Sequence, residues 1–318
     1  MFLRIPYAII FCFAVLALQV AGASPASLRI ASFNIEWLVA TASENNMDPW
    51  KDEESLEHHR REIARVLAEK VHADVVCVLE STSKLALEKL VSEPALKPLG
   101  YRIYHVESGD DATGQDVAFL SRVPLDRVEG RFVFRVEPKG SKDRLTKHAV
   151  IYLHAGKLKL GLLGLHLLAH PEDKRRTSKR MLQAKTADEI IRKEIVARGY
   201  VPVVLGDFND FDPDVAGPEG FPDRRHKVLR VVKDFDKQHD DLELFNAAER
   251  IESPAERYSA YWDKNKNDRW DNGEPISMID HILLDNSLSS RVINTEILHS
   301  AHDGSVSDHW PVIVELAR

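Results

Sequence analysis

The chain has 318 residues, 44% hydrophobic and 29% charged, with a formal net charge of −7. That mix excludes a disordered tail, a collagen and a multi-span membrane protein, and the length allows a large buried core. Two cysteines exclude a disulfide scaffold and a four-cysteine zinc site. The acidic balance argues against polyanion binding through a broad basic surface, but not against polyanions reached through bound metal ions.

The chain opens with Arg4, an apolar run over residues 8–18, and the small-residue site Ala21-Gly22-Ala23. This order is that of a secretory signal peptide over residues 1–23; the apolar run is short for a membrane anchor. Residues 24–318 are then expected to form one domain, secreted or periplasmic, with no membrane insertion after cleavage. Cleavage removes Arg4 and Cys12, so the mature chain gains in acidity and keeps only Cys77. No internal disulfide is then available. Cys77 lies within Val75-Val76-Cys77-Val78-Leu79 and reads as a buried, inert thiol.

Strand-like apolar runs follow at 28–33, 75–79, 117–120, 149–153, 158–165, 201–205, 279–284 and 311–316. Between them, residues 56–71 place Leu56, Ile63, Val66 and Leu67 near one helical face. Residues 175–197 do the same with Met181, Ala184, Ala187, Ile190 and Ile191. No long Pro/Gly/Ser linker or repeat interrupts the pattern. Helices interleaved with many strands indicate a single α/β or layered α+β domain.

Polar residues gather where these strands end. Asn34 closes the first, in Ser32-Phe33-Asn34-Ile35-Glu36-Trp37, and Glu80 ends the second. His166 follows the run Gly164-Leu165, and Gly206-Asp207-Phe208-Asn209-Asp210 follows another. Met278-Ile279-Asp280-His281 and Ser307-Asp308-His309-Trp310-Pro311 complete the series. Singly, each has a plain explanation as a cap, a turn or a hydrogen-bonded core residue. Together they supply oxygen and imidazole donors without cysteine, which suits a hard cation such as Mg²⁺ or Mn²⁺.

This ordered set resembles the endonuclease/exonuclease/phosphatase superfamily, the deoxyribonuclease-I-like hydrolases, from Asn34 to Pro311. Its most specific parts are Gly206-Asp207-Phe208-Asn209 and Ser307-Asp308-His309-Trp310-Pro311. The resemblance implies an α/β (α+β) four-layer sandwich of two mainly antiparallel β-sheets with helices outside, and a site at one edge. It implies that Glu80 is the main carboxylate ligand of a divalent metal, with Asn34 beside it and Asp308 as a second metal-side carboxylate. Asp207 and Asn209 are similar to the pair that positions the attacking water and the phosphate. His309 resembles the histidine on the scissile phosphate, oriented by Asp280, and His166 matches a second site histidine. The chemistry needs these types: a divalent ion screens an anionic phosphodiester, and histidines titrate where proton transfer is wanted.

The expected activity is metal-dependent hydrolysis of phosphodiesters, with nucleic acid, DNA or RNA, as substrate and a monomer as the working form. Alternatives are a phosphatase or phospholipase C-type hydrolase of inositol lipids, sphingomyelin or small phosphoesters, and a non-catalytic binding module on the same scaffold. Where the abasic-site repair branch has a tyrosine followed by Pro-Asn, this chain has His166 and later His170-Pro171, which argues against base-excision repair. His170 reads as a surface loop histidine. Arg122, Arg144 and Lys147 are candidates for a basic phosphate grip, with Arg144 nearest the family's place for substrate binding. Asp116 is a candidate partner of His166. Lys174-Arg175-Arg176 with Lys179-Arg180 reads as a basic, solvated face at a helix start. Asp263, Asn265, Asn267, Asp271 and Glu274 have the spacing of a calcium loop, although Asp268 stands where glycine is expected and Pro275 follows at once. A Ca²⁺ site and a polar surface turn both remain open there.

Overall fold

In the strand Val75–Ser81, Val75, Cys77 and Leu79 point to one apolar cluster while Val76 and Val78 point to another. A strand buried on both faces needs a layer on each side, and the fold supplies them. The computed structural model describes residues 27–43, 47–136, 145–219, 221, 227–236 and 241–318. The expected signal peptide, residues 1–23, lies outside them, as does Arg144. Among the described residues, no helix is long and apolar enough to cross a membrane.

One six-stranded sheet contains β1 (Ser27–Leu38), β2 (Val75–Ser81), β3 (Arg102–His105), β4 (Asp116–Ser121), β13 (Val292–Ile297) and β14 (Val312–Ala317). The other contains β5 (Val133–Phe134), β6 (His148–Ala155), β7 (Leu158–His166), β8 (Val201–Asp207), β9 (Leu244–Asn246) and β12 (Asp280–Asp285). A small hairpin, β10 (Ala260–Tyr261) with β11 (Ile276–Ser277), stands apart. The strand orders are β13-β14-β1-β2-β4-β3 and β5-β6-β7-β8-β12-β9. Each sheet has one parallel pair at its centre, β1 with β2 and β7 with β8, and antiparallel neighbours outward. The sheets are thus mixed, in the four-layer α/β sandwich expected.

A parallel pair needs a long crossover, and a helix provides it each time. Helix α1 (Glu53–Arg65) links β1 to β2, and α3 (Lys174–Ile190) links β7 to β8. Helix α1 begins with a reciprocal cap: Asp52 Oδ1 accepts from the Ser55 amide at 2.8 Å, and the Asp52 amide donates to Ser55 Oγ at 3.2 Å. Such a cap is worth about 1 kcal/mol. Helices α1 and α2 (Lys84–Ser92) cover the first sheet through Ile63, Ala64, Leu87 and Leu90. Helices α3 and α4 (Val228–Lys233) cover the second through Ala184, Ala187, Leu229 and Val232.

All eight apolar runs are strands, most extended by a residue or more into the polar residue that follows or precedes. The expected helix over 175–197 departs from a regular α-helix at Ile190 and continues through a wider π turn, Ile191–Ile195. Between the sheets, Gly164 lets them approach: an added Cβ would lie 2.6 Å from Cys77 Sγ and 2.9 Å from Phe119. Cys77 is fully buried there, and burial pushes its thiol up, as an inert core residue requires.

Candidate active site

The two parallel pairs end on the same side of the sandwich, where ligands gather in sheets of this kind. Asn34 lies near the end of β1, Glu80 of β2, His166 closes β7 and Asp207 closes β8. Asp280 opens β12, antiparallel to β8 and paired in register with Asp207. Asp308 and His309 precede β14 and are anchored by Trp310, whose buried ring sits edge-on to Tyr258 at 5.4 Å.

These side chains meet. Asn34 Nδ2 donates to Glu80 Oε1 at 2.9 Å and points to Asp207 Oδ2 at 3.4 Å. His166 Nε2 lies 3.6 Å from Asp207 Oδ2 and 3.8 Å from Glu80 Oε1. His309 Nε2 lies 4.0 Å from the same Asp207 oxygen and 3.7 Å from Asp308 Oδ1. His309 Nδ1 donates to Asp280 Oδ2 at 2.6 Å, and the Ser259 hydroxyl donates to that oxygen at 2.8 Å. Asn209 donates from its backbone to Asp207 Oδ1 at 2.7 Å and from Nδ2 to the Leu167 carbonyl at 3.2 Å. Every predicted catalytic and metal-side residue is therefore in one cluster.

The backbone is bent to make it so. Ten described non-glycine residues have positive φ, and five of them, Glu36, Trp37, Glu80, His170 and Asn209, line one cleft. Side chains rarely adopt that region, and strain of this kind collects at functional sites. Gly206 meets a sharper demand: at φ +142° an added Cβ would lie 1.9 Å from the Leu165 carbonyl oxygen.

The cleft has a volume of about 920 Å³ and is lined by Glu80, His166, Asp207, Asn209, Asp308 and His309, with aromatic walls from Trp37, Phe211, Tyr261 and Trp262. Its electrostatics separate the two histidines. Burial lowers both, but for His309 the carboxylates of Asp280, Asp308 and Asp207 outweigh it and hold the imidazolium well above the usual range. His166 is held well below that range by burial and by Lys147 and His309, so it is neutral. Burial and Asp280 push the Asp207 carboxyl up to about 8. Glu36, which the apolar pattern does not mark, is pushed up to about 8 by burial, Asp308 and Glu80.

The donor set fits a divalent cation. Glu36, Glu80 and Asp308 crowd together, and among the described residues no lysine or arginine forms an ion pair with any of them. Asp207, Asp280 and His309 also bring ligand atoms within 4.8 Å of one another. His309 Nδ1 is hydrogen-bonded to Asp280 at 2.6 Å, so of that imidazole only Nε2 is open to an ion.

Several expectations are corrected. Asp116 does not partner His166: it accepts from His105 Nε2 at 2.6 Å and from the Ser108 amide at 2.7 Å. Arg122 is bound to the carbonyls of His72 and Ala73 and to Asp74, so it is no phosphate grip. Lys147 faces the site instead, with Gln115 Oε1 at 3.2 Å and the carboxylates of Glu80 and Asp207 within electrostatic reach. Arg180 is not solvated; its side chain is completely buried. His170 is exposed, as expected of a loop residue, but it stands on the cleft rim.

The loop 263–274 is closed by its own bonds. Asp263 accepts from the amides of Lys266 at 2.6 Å and Asp268 at 2.8 Å, and Glu274 accepts from those of Lys264 at 2.9 Å and Asp271 at 3.1 Å. Asn265 and Asn267 donate to Asp271. Asp268 takes the left-handed conformation, φ +56°, in place of glycine.

The sequence model of the endonuclease/exonuclease/phosphatase family matches residues 31–309. No curated protein matches the chain. Among solved structures, the 3′ phosphatase NExo from Neisseria, bound to a product DNA hairpin, has a TM-score of 0.60 at 17% identity, covering 91% of this chain and 99% of its own. TDP2 from D. rerio, complexed with a single-strand DNA product, has a TM-score of 0.58 at 16% identity, covering 91% and 98%. Truncated TDP2 from Caenorhabditis elegans has a TM-score of 0.57 at 19% identity, covering 92% and 98%. Likenesses at such identities speak for the fold.

Proposed function

Because the chain belongs to the endonuclease/exonuclease/phosphatase family, we propose that it is a secreted phosphodiesterase that hydrolyses nucleic acid. The coarser statement follows from the family alone: it is a divalent-metal-dependent phosphoester hydrolase. The observation that carries the finer one is the convergence of Asn34, His166 and His309 on Asp207 Oδ2 at one end of an aromatic cleft.

The residues divide the work. Asp207 Oδ2 orients the attacking water and takes its proton; a carboxylate raised by burial is a stronger base than an exposed one. Asn209 holds Asp207 through its backbone amide and Leu167 through its side chain. His309, kept protonated and aimed by Asp280, donates to the phosphate oxygens as negative charge grows on them. His166 offers a neutral imidazole on the Glu80 side of the same oxygen. A divalent ion held by Glu80, Asn34 and Asp308, Mg²⁺ or Mn²⁺, would supply charge neutralisation of the phosphate.

Nucleic acid is favoured by the walls. Trp262 is 67% exposed at the mouth, and Trp37 faces the same space, so unpaired bases have faces to stack on. Phe211 is buried and packs edge-on to Phe221 at 5.6 Å within the cleft, so these two rings line the cleft and do not protrude as the apolar surface of a membrane hydrolase would.

The test is a panel of plasmid, single-stranded DNA, RNA, inositol lipids, sphingomyelin and small phosphoesters with the purified protein and Mg²⁺ or Mn²⁺. Cleavage of nucleic acid that EDTA and His309→Ala both abolish is expected. Activity surviving either treatment sinks the mechanism, and turnover of lipids alone moves the substrate class. For the 263–274 loop, the calcium reading expects a rise in melting temperature with Ca²⁺ that Asp263→Ala and Glu274→Ala each remove. An unchanged melting temperature in the parent protein leaves a polar turn.

A further inference from the structure

Arg180 lies in α3, outside the residues assigned to chemistry, and its side chain is 0% exposed. A guanidinium is rarely taken out of water without a full set of acceptors. Here the set spans two segments. Nε donates to Asp210 Oδ2 at 3.3 Å; Nη1 donates to the carbonyls of Leu168 at 3.0 Å and His170 at 3.1 Å. Nη2 donates to the Pro171 carbonyl at 3.0 Å and to Thr177 Oγ1 at 2.9 Å. One segment follows His166 at the end of β7, and the other follows Asp207 and Asn209 at the end of β8.

Those segments are also joined at the site itself. The Leu167 amide donates to the Asp207 carbonyl at 2.8 Å, and Asn209 Nδ2 donates to the Leu167 carbonyl at 3.2 Å. Gln183, one turn along α3, accepts from the Leu168 amide at 3.0 Å. Asp210 is fixed from its far side, where its carbonyl accepts from His281 Nε2 at 2.9 Å. The Arg180 fork therefore sits behind the Asn209–Leu167 contact and holds its two sides at a set separation.

We propose that Arg180 is a positioning residue for the hydrolytic reaction: one buried guanidinium, shared between Asp210 and the 168–171 carbonyls, sets where Asn209 and His166 stand in the cleft. The proposal rests on the phosphodiesterase reading for its kinetic consequence, but the placement it describes is a property of the fold. Lysine cannot substitute fully, because a point charge does not reproduce a planar fork with donors in several directions.

The experiment uses the full chain and whichever phosphodiester the parent protein cleaves. Arg180→Met is expected to lower kcat about a hundredfold with KM within about threefold, the size of effect a displaced catalytic group produces. Arg180→Lys should recover part of that loss and guards against a variant that fails to fold. In a double-mutant cycle, Arg180→Met added to Asn209→Ala should slow the enzyme little further, since both changes disable one device. Hydrogen exchange should rise over 164–171 and 205–212 in Arg180→Met while both sheets stay protected. Unchanged kcat, losses that multiply in the cycle, or a uniform rise in exchange would each overturn the proposal. If the parent protein cleaves no phosphoester, the functional reading fails, and the exchange pattern alone decides the positioning role.

Discussion

Asp280 is buried and spends one oxygen on two donors, His309 Nδ1 and the Ser259 hydroxyl. A carboxylate so placed fixes the tautomer and the aim of the ring. Asp280→Asn keeps the shape but presents the wrong donor, and kcat is expected to fall about a thousandfold with little change in KM; steady-state kinetics check both. His59 shows the opposite use of an imidazole. It is buried under Trp50, with ring centroids 4.1 Å apart, and donates from Nε2 to the Glu36 carbonyl at 2.9 Å, steadying the left-handed turn at 36–37. Burial pushes it down to about 3 from an ordinary 6.5. Between those values the unfolded chain binds the proton and the folded one does not, so stability is full above pH 6.5 and falls as pH drops. One such group contributes a slope of up to about 1.4 kcal/mol per pH unit. Denaturant titrations at pH 6.5, 5.5 and 4.5 should show His59→Gln losing less stability on acidification than the parent. His148, buried and lowered to about 3, acts with the same sign and remains in the variant.

At the scale of elements, strand ends carry the candidate site, and the demand on Gly206 is the sharpest local one. Gly206→Ala sets a methyl against the Leu165 carbonyl at a φ alanine avoids, costing about 2–3 kcal/mol. Thermal unfolding should show a melting temperature lower by roughly 3–5 °C for a domain of this size. Strand ends are also why the site was readable: Asn34, Glu80, His166 and Asp207 each interrupt an apolar run whose period and length identify a strand. Glu36 was not readable, because its place in the cleft depends on two successive left-handed residues that no pattern of apolar spacing signals. The burial of Arg180 escapes the sequence for a related reason. Its neighbours Lys174, Arg175 and Lys179 are exposed, and only the tertiary path of the 168–171 segment turns one arginine of that run inward. The short strands β3, β5 and β9 lack the length for a periodic signal and owe their state to the edges they cover.

At the scale of the whole molecule, the net charge of −7 separates this protein from enzymes that grip nucleic acid by a basic surface. On the nucleic-acid reading few phosphates would be neutralised and few counterions released. A plot of log KM against log salt for a long DNA should have a slope below about 2 in magnitude, where a protein with six to ten phosphate contacts shows far more. A steep slope would require a basic track that the acidic balance does not suggest. The two sheets share one plan, a helix-bridged parallel pair flanked by antiparallel strands, and each contributes two strand ends to the cleft. The remaining pieces come from far along the chain: the Ser307 hydroxyl donates to the Asn34 carbonyl at 2.8 Å, and β14 slots between β13 and β1 rather than onto an edge. A chain lacking β14 therefore has Asn34, Glu80, His166 and Asp207 on its other strands but no strand to seat Asp308 and His309. The cluster is complete only with that strand in place between β13 and β1, so deleting residues 312–317 is expected to abolish any phosphoester hydrolysis.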